Sequence, residues 1–265
     1  MINSDGTMSD ATRTVIEQAI AEGIEIVPVS GRAFATFPES IGQIKGISYA
    51  VTSNGAAIYN KKTGERIHGV AIEYADLHSI LDAFAHYFHN GQITYEAFVD
   101  GVAYGGREYV EHPEAFGVPE RNVAYVQSTR KPVDDIIAFL SEHEEELDSL
   151  DIVAADTALY QKIEEQIPLV TKSVYTTSAV SYRLEISHKN SGKATGLAYV
   201  LKLLDITPEE TVAFGDGDND AEMLEFAGLG VAMENATENC KAAADIVCDC
   251  CKMMEWRVSC TAFRT

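Results

Sequence analysis

Two kinds of apolar pattern alternate near both ends of the chain, and this alternation restricts the fold more than any other feature. Residues 24–29 form a short run rich in β-branched side chains, which is typical of a buried strand. Residues 12–22 repeat apolar side chains at helical spacing and precede Gly23, which suits a helix end. After residue 181 the alternation returns, with strands at residues 182–186, 211–214 and 229–232 and helices at residues 193–204 and 237–244. It predicts an α/β fold, in which helices flank a parallel sheet.

The middle of the chain departs from this pattern. A helical stripe over residues 77–88 is followed by two strands within residues 93–104. The acidic run at residues 142–148 is most simply a solvated helix face. The sequence therefore predicts two domains: a core of residues 1–74 and 182–265, and an inserted α+β domain of residues 75–181.

Charge narrows the choice of partners. The 265 residues carry a net charge of −21, which repels nucleic acid and anionic membrane surfaces, so we expect neither as a partner. No apolar run approaches the roughly 18 residues of a membrane span. The first residues are too polar for a secretory signal, so we expect a cytoplasmic protein, either a monomer or a homodimer. A phosphorylated ligand would be repelled as well, so any phosphate site must be locally basic or carry a metal.

Polar segments directly follow three of the predicted strands. They are residues 3–7 (Asn-Ser-Asp-Gly-Thr), Ser30, and residues 216–220 (Asp-Gly-Asp-Asn-Asp). Ligands of open α/β sheets bind beyond the carboxyl ends of the strands, so these segments are expected to converge on one edge. Each segment alone is also explained as a turn, but their shared placement favours a site.

Three carboxylates crowd the last of these segments. Asp216, Asp218 and Asp220 alternate along one short loop. Carboxylates this close raise one another's pKa and destabilise a fold unless a cation offsets them. Mg²⁺ commonly takes one or two carboxylates together with phosphate and water. The loop therefore predicts a magnesium site, with a solvated acidic turn as the alternative.

Lys193 begins a predicted helix directly after Gly192. A lysine at this end opposes the helix dipole by about 0.3 kcal/mol, and a bound phosphate would offset that cost. A solvent-exposed lysine is the alternative. The Ser30 hydroxyl and the Gly31 amide could donate to the same phosphate, although a lone serine after a strand is usually only a cap.

The cysteines lie close to the C-terminal end. All five fall between residues 240 and 260, so a disulfide framework across the chain is not expected. Ordinary reduced thiols are the simplest interpretation. A zinc site is the alternative, although its four ligands lack a paired Cys-x-x-Cys spacing: Cys248, Cys250, Cys251 and Cys260.

Taken together and in order, these segments resemble the motifs of the haloacid dehalogenase superfamily, most closely its Cof-type (subclass IIB) sugar-phosphatase branch. The matching segments are residues 3–7, 29–32, 53–56, 184–186, Lys193, and residues 215–220, 231–236 and 243–245. The likeness covers about residues 1–247. It implies a Rossmann-like parallel-sheet core with an α+β cap of the C2B type inserted between the second and third motifs.

The resemblance implies hydrolysis of a small phosphorylated metabolite, with sugar phosphates favoured. An aspartate at position 3 would attack phosphorus and form an aspartyl-phosphate, while Asp5 protonates the leaving alcohol and then activates water. Residue 3, the backbone carbonyl of Asp5 and the Asp216 carboxylate would hold Mg²⁺. The metal and Lys193 would neutralise charge on the transferring phosphoryl group.

The resemblance also implies how the phosphate is held. Ser4, Ser30, Gly31 and Asn219 would line it, and Asp220 would orient Lys193 or the waters of the metal. The inserted domain would close over the site and select the organic part of the substrate.

The chain departs from the family pattern at its two ends. Asn3 occupies the nucleophile position, and an amide oxygen is a poor nucleophile that brings no charge to a metal. Only two residues precede it where a strand of about five is expected, so an altered start is an expectation here. After residue 247 a cysteine-rich tail replaces the usual polar turn and helix. Two alternatives remain: a non-catalytic binder of phosphorylated metabolites and, less favoured, a sugar phosphotransferase or mutase.

Overall fold

The computed structural model describes residues 7–248, apart from the side chain of Ala179. Most of the helices that the apolar spacing predicted are present, and none of those described is both long and apolar enough to cross a membrane. In chain order the α-helices are α1 (Asp10–Ala21), α2 (Glu39–Gly42), α3 (Tyr74–His89), α4 (Arg107–Glu111), α5 (Glu120–Thr129), α6 (Ile136–Glu142), α7 (Thr157–Val170), α8 (Lys193–Leu204), α9 (Ala221–Phe226) and α10 (Glu238–Ala243).

Strands of the described residues form three sheets. In chain order they are β1 (Tyr49–Thr52), β2 (Ala57–Asn60), β3 (Arg66–Gly69), β4 (Ile93–Val99), β5 (Val102–Gly106), β6 (Arg130–Val133), β7 (Leu147–Ala154), β8 (Val174–Val180), β9 (Arg183–His188), β10 (Val212–Gly215), β11 (Leu229–Met233) and β12 (Ile246–Cys248). The first three strands are antiparallel, the last three are parallel, and the other six form one mixed sheet in the order β6-β5-β4-β7-β9-β8.

The strand predicted at residues 24–29 is wrong in extent. Within the described residues, this segment makes one parallel bridge, between Val29 and Val51. Pro28 has no N–H to donate, so it cannot extend a hydrogen-bonded ladder. The apolar contacts that produced the pattern are nevertheless present, because Val27 and Val29 pack against Val51 and Val200 between β1 and α8.

The six-stranded sheet has one apolar face and one polar face. Side chains of β4, β7 and β9 alternate, so that one set packs in a large apolar cluster with α3 and α7. The opposite set carries Glu96, Asp151 and Glu185, which lie beside one another in register on three neighbouring strands. All three are buried. Phe98 of the same face contacts Ala33, so the polar face is turned toward the core.

Two predictions for the middle of the chain are corrected here. β9 was expected to resume the core pattern, but it is hydrogen-bonded between β7 and β8 in the six-stranded sheet. Its alternating pattern fits any half-buried strand and does not say which sheet it joins. The acidic run at residues 142–148 is not a helix face, because α6 ends at Glu142 and Asp148 lies buried in β7. The predicted domain boundaries remain a prediction.

Candidate active site

Polar residues from four segments meet beyond the carboxyl end of β10. The segments are the loop after Val29, the turn after β1, the first turn of α8, and the acidic loop after β10. Three predicted site residues, Asn3, Ser4 and Asp5, lie outside the described residues. The site is therefore built from the other predicted residues: Ser30, Gly31, Lys193, Asp216, Asn219 and Asp220.

Lys193 and Asp220 form a buried ion pair. Lys193 is the first residue of α8 and only 7% exposed, and its Nζ lies 2.6 Å from Asp220 Oδ1. The second carboxylate oxygen of Asp220 accepts hydrogen bonds from the backbone N–H groups of Asp216 and Gly217, each at 3.0 Å. The alternative of a solvent-exposed Lys193 is therefore wrong. Asp220 instead ties the lysine to the backbone of the acidic loop.

The other two carboxylates of the loop remain exposed at the surface of the site. Asp216 Oδ2 accepts from Asn235 Nδ2 at 3.3 Å, and Asp218 Oδ1 accepts from the Thr237 hydroxyl at 2.6 Å. Both donors lie just before α10, which fixes the direction of the two carboxylates. Residues 7–248 contain no group of three acidic, histidine or cysteine side chains arranged to hold a metal, so Asp216 alone would be only part of a metal site.

Ser30 and Gly31 are held against the turn that follows β1. The backbone N–H of Ser30 donates to Val51 O at 3.0 Å, and its carbonyl accepts from the N–H of Asn54 at 3.1 Å. The Ser30 hydroxyl accepts from the N–H of Arg32 at 3.2 Å, which leaves its own hydrogen able to donate. At Gly31 an added Cβ would lie 2.9 Å from Asn54 Oδ1. Only glycine fits there without displacing the asparagine.

Asn54 and Glu185 were not predicted as site residues, although both lie in segments that carried the resemblance. Asn54 Oδ1 accepts from Asn219 Nδ2 at 3.1 Å, and Asn54 Nδ2 donates to Glu185 Oε2 at 2.8 Å. The Asn-Gly pair after β1 was the available signal. The turn holds Asn54 at φ 51°, a region that asparagine tolerates better than most residues, and puts Gly55 at φ 91°.

The polar face of the inserted domain holds a buried ionic cluster. Arg130 donates two hydrogen bonds to Glu96, at 2.9 and 2.8 Å, and the Arg183 guanidinium lies 3.3 Å from Asp151. Burial alone would raise the pKa of Glu96, but Arg130 and Arg183 together hold it below its usual value. Burial instead raises the pKa of Asp151 well above its ordinary range. This face therefore carries fixed charges close to the core.

The inserted domain also borders the acidic loop directly. A cleft of about 460 Å³ lies between the two and is lined by hydroxyl-bearing side chains of α7 and β8, with Glu164 and Asp218. Its lining residues are Tyr160, Glu164, Tyr175, Thr176, Thr177, Ser178, Val180, Ser181 and Asp218. In addition, the Arg32 guanidinium, in the loop after Val29, lies 4.8 Å from the ring centre of Tyr125 in α5. The inserted domain therefore borders both the acidic loop and the loop after Val29.

Comparisons with known proteins point to one family. A family model described as haloacid dehalogenase-like hydrolase matches residues 1–252. Phosphatase YwpJ of Bacillus subtilis (strain 168) is 30% identical, over 93% of this chain and 90% of its own length. A haloacid dehalogenase-like hydrolase from B. subtilis superposes with a TM-score of 0.76 at 27% identity, covering 94% of this chain and 90% of that one. A subclass IIB sugar phosphatase shares the fold, with a TM-score of 0.72 at 20% identity and coverage of 97% and 92%.

Proposed function

Since the chain belongs to the haloacid dehalogenase-like hydrolases, we propose that it is built as a magnesium-dependent phosphatase of small phosphorylated metabolites. The observation that carries the proposal is the buried Lys193–Asp220 pair, which is bonded to the loop that presents Asp216. This arrangement supplies a fixed cation and an exposed carboxylate at the carboxyl end of a parallel sheet. Phosphoryl transfer needs little more than positioning and charge neutralisation of this kind.

The oxygen donors of the loop fit a hard divalent cation. Asp216 is exposed and oriented by Asn235, and Mg²⁺ prefers carboxylate and carbonyl oxygens. Asp216 would hold the metal together with residue 3 and the backbone carbonyl of Asp5. When bound, Mg²⁺ would withdraw negative charge from the phosphoryl oxygens.

Lys193 would face the phosphate with its charge already oriented. Because its ammonium group is held by Asp220, it loses little further freedom when an anion binds. The hydroxyls of Ser4 and Ser30, the Gly31 amide and the Asn219 side chain would donate to the other phosphoryl oxygens. These donors would replace water around an anion that the net charge of −21 otherwise repels.

The residue at position 3 determines whether the chain can hydrolyse a phosphorylated substrate. An aspartate there would attack phosphorus, and Asp5 would carry the proton to the leaving oxygen and then take one from water. Asn3 has no charge and is a poor nucleophile, and loss of a covalent nucleophile can cost about a millionfold in rate. Asn3 therefore specifically favours a second candidate function, a non-catalytic binder of phosphorylated metabolites.

The organic part of the substrate would lie against the inserted domain. The cleft beside Asp218 is rich in hydroxyl groups, and its described lining residues include no lysine or arginine. Hydroxyl donors and acceptors suit the sugar of a sugar phosphate, which we propose as the substrate class. A cytoplasmic setting, and a monomer or homodimer, are parts of the same proposal.

Hydrolysis of p-nitrophenyl phosphate in Mg²⁺ tests the proposal. We expect Asn3→Asp to be faster than the unchanged chain by about three orders of magnitude or more, and chelation of the metal to abolish the gain. Asn3→Ala is the matched control, since it changes the same position without adding a carboxylate. Equal inertness of all three proteins, while folded and able to bind Mg²⁺, would reject the catalytic reading. Calorimetry with sugar phosphates then separates a binder from a protein with no phosphate site.

A further inference from the structure

A buried chain of hydrogen bonds crosses from the six-stranded sheet to the acidic loop. Glu185 of β9 accepts from Asn54, and Asn54 accepts from Asn219, at 2.8 and 3.1 Å. The three side chains are 4%, 2% and 8% exposed. Water therefore competes little for these bonds, and each residue can hold its neighbour in one orientation.

The chemistry of these groups fixes which way each amide points. A carboxylate paired with an arginine only accepts, so Asn54 must turn its NH₂ toward Glu185 and its oxygen toward Asn219. Asn219 must in turn present its NH₂ to Asn54. Its Oδ1 accordingly lies over Gly217, where an added Cβ would be 2.7 Å away. The orientation of the Asn219 amide thus depends on a carboxylate in another sheet.

Both partners of the central contact are themselves immobilised. Asn54 bonds through its backbone to Ser30, and its left-handed conformation confines it to the turn. Glu185 Oε1 accepts from Arg183 Nη2 at 2.8 Å, and the same guanidinium lies within 4 Å of Asp151 and Glu96. Glu185 is therefore held by its own sheet and Asn54 by its own turn. Their hydrogen bond joins these two fixed groups.

We propose that Glu185 and Asn54 are positioning residues that set the orientation of the Asn219 amide for phosphate binding. Glu185 holds the NH₂ group of Asn54, so that Asn54 Oδ1 is fixed as the acceptor for Asn219. Without the Glu185 contact the Asn54 amide could turn, and Asn219 would lose its fixed acceptor. The inference rests on the proposed function, which assigns Asn219 to phosphate binding, but it does not depend on the residue at position 3.

Exchanging donor and acceptor gives a direct test. Asn54→Asp sets an acceptor against Glu185, so this contact becomes repulsive. The double variant Asn54→Asp with Glu185→Gln restores every bond: the introduced amide donates to the introduced carboxylate and accepts from Arg183, and the carboxylate still accepts from Asn219. Total charge is the same as in the unchanged chain. Asn60→Asp is the matched control, because in the part of the chain that the structure describes the Asn60 side chain only accepts, from backbone N–H groups of its own turn.

Two measurements on the unchanged chain and these variants decide the matter. Calorimetry of inorganic phosphate binding in Mg²⁺ should show affinity about tenfold weaker for Asn54→Asp and within about threefold of the original for the double variant. The Asn219 side-chain amide signals in ¹H–¹⁵N spectra should shift in Asn54→Asp and return in the double variant. Asn60→Asp should change neither readout.

The outcomes separate this inference from the proposed function. If no form binds phosphate, the proposed function fails, and the amide signals still test the positioning role. Unshifted Asn219 signals in Asn54→Asp would overturn the inference, as would a double variant that stays as perturbed as the single one. If Asn54→Asp does not fold, Asn54→Ser removes the same bridge without adding charge, and the double variant remains the rescue.

Discussion

Asp148 allows a direct test of how a buried ion pair between β3 and β7 affects the stability of the protein. It lies fully buried in β7, where it pairs with Arg66 of β3. Among residues 7–248, its Oδ2 has no hydrogen-bond partner, and the nearby Tyr59 hydroxyl has none either. Burial raises the pKa of Asp148 to about 7, with Asp100 adding to the rise and Arg66 opposing it. Loss of hydration therefore raises the pKa of Asp148 by more than the ion pair with Arg66 lowers it.

The sign of the pH dependence follows from that rise. The folded state keeps its proton at pH values where the unfolded chain, with a pKa near 3.8, has lost it. Stability therefore falls as pH increases from about 4 to about 7, and levels off above that. At 1.36 kcal/mol per pH unit, the ionised carboxylate costs at most about 4 kcal/mol above pH 7. Structural relaxation and entry of water should reduce the measured cost to about 2 kcal/mol.

Asp148→Asn removes this titration while keeping the shape of a neutral carboxyl group. In urea unfolding followed by circular dichroism, we expect near-equal stability of the two proteins at about pH 4, where the fall in stability begins, and about half of the final difference at pH 5.5. At pH 8.5 the variant should be more stable by about 2 kcal/mol. Asp82→Asn, at an exposed position of α3, is the control and should show no such difference. A variant less stable than the original at pH 8.5 would refute the reasoning, because the ion pair would then be the dominant contribution.

Three further predictions concern the glycine turn after β1, the buried ion pair of Glu96, and the lysine of the site. Gly55→Ala should destabilise the protein by at least about 3 kcal/mol, because the new Cβ would lie 2.0 Å from a backbone oxygen; Gly64→Ala, also at positive φ but in open space, should cost about 1 kcal/mol. Glu96→Gln leaves a buried arginine without its ionic partner and should cost about 3–5 kcal/mol, whereas Asp134→Asn in an exposed pair should cost under about 1 kcal/mol in thermal unfolding. Lys193→Met should weaken phosphate binding at least about tenfold by calorimetry.

Local pattern was enough to predict most elements of the core. The start of α8 at Lys193 and the acidic loop after β10 were both predicted correctly, because helical spacing and strand-end placement involve neighbouring residues. The convergence of these two segments also followed from the rule that ligands bind at strand ends. The Lys193–Asp220 contact is the physical result of that convergence.

Contacts between strands and side chains that are distant in the sequence could not be predicted from it. The assignment of β9 to the six-stranded sheet depends on its neighbours β7 and β8, and an alternating pattern does not name them. The Asn54–Glu185 bond joins residues 131 positions apart. Asp148 was predicted to be solvated because it ends an acidic run, yet it is the one acidic residue of residues 142–148 that is buried in a strand. The zinc alternative stays untested, since Cys250, Cys251 and Cys260 lie outside the described residues.

We propose that this site, when an aspartate stands at position 3, transfers a phosphoryl group to that side chain. Rapid acid quenching of Asn3→Asp during turnover of p-nitrophenyl phosphate, followed by peptide mass mapping, measures that transfer directly. We predict one phosphoryl group on residue 3 of this variant and none on the unchanged chain. Turnover with no label, or with the label on another residue, would contradict the account.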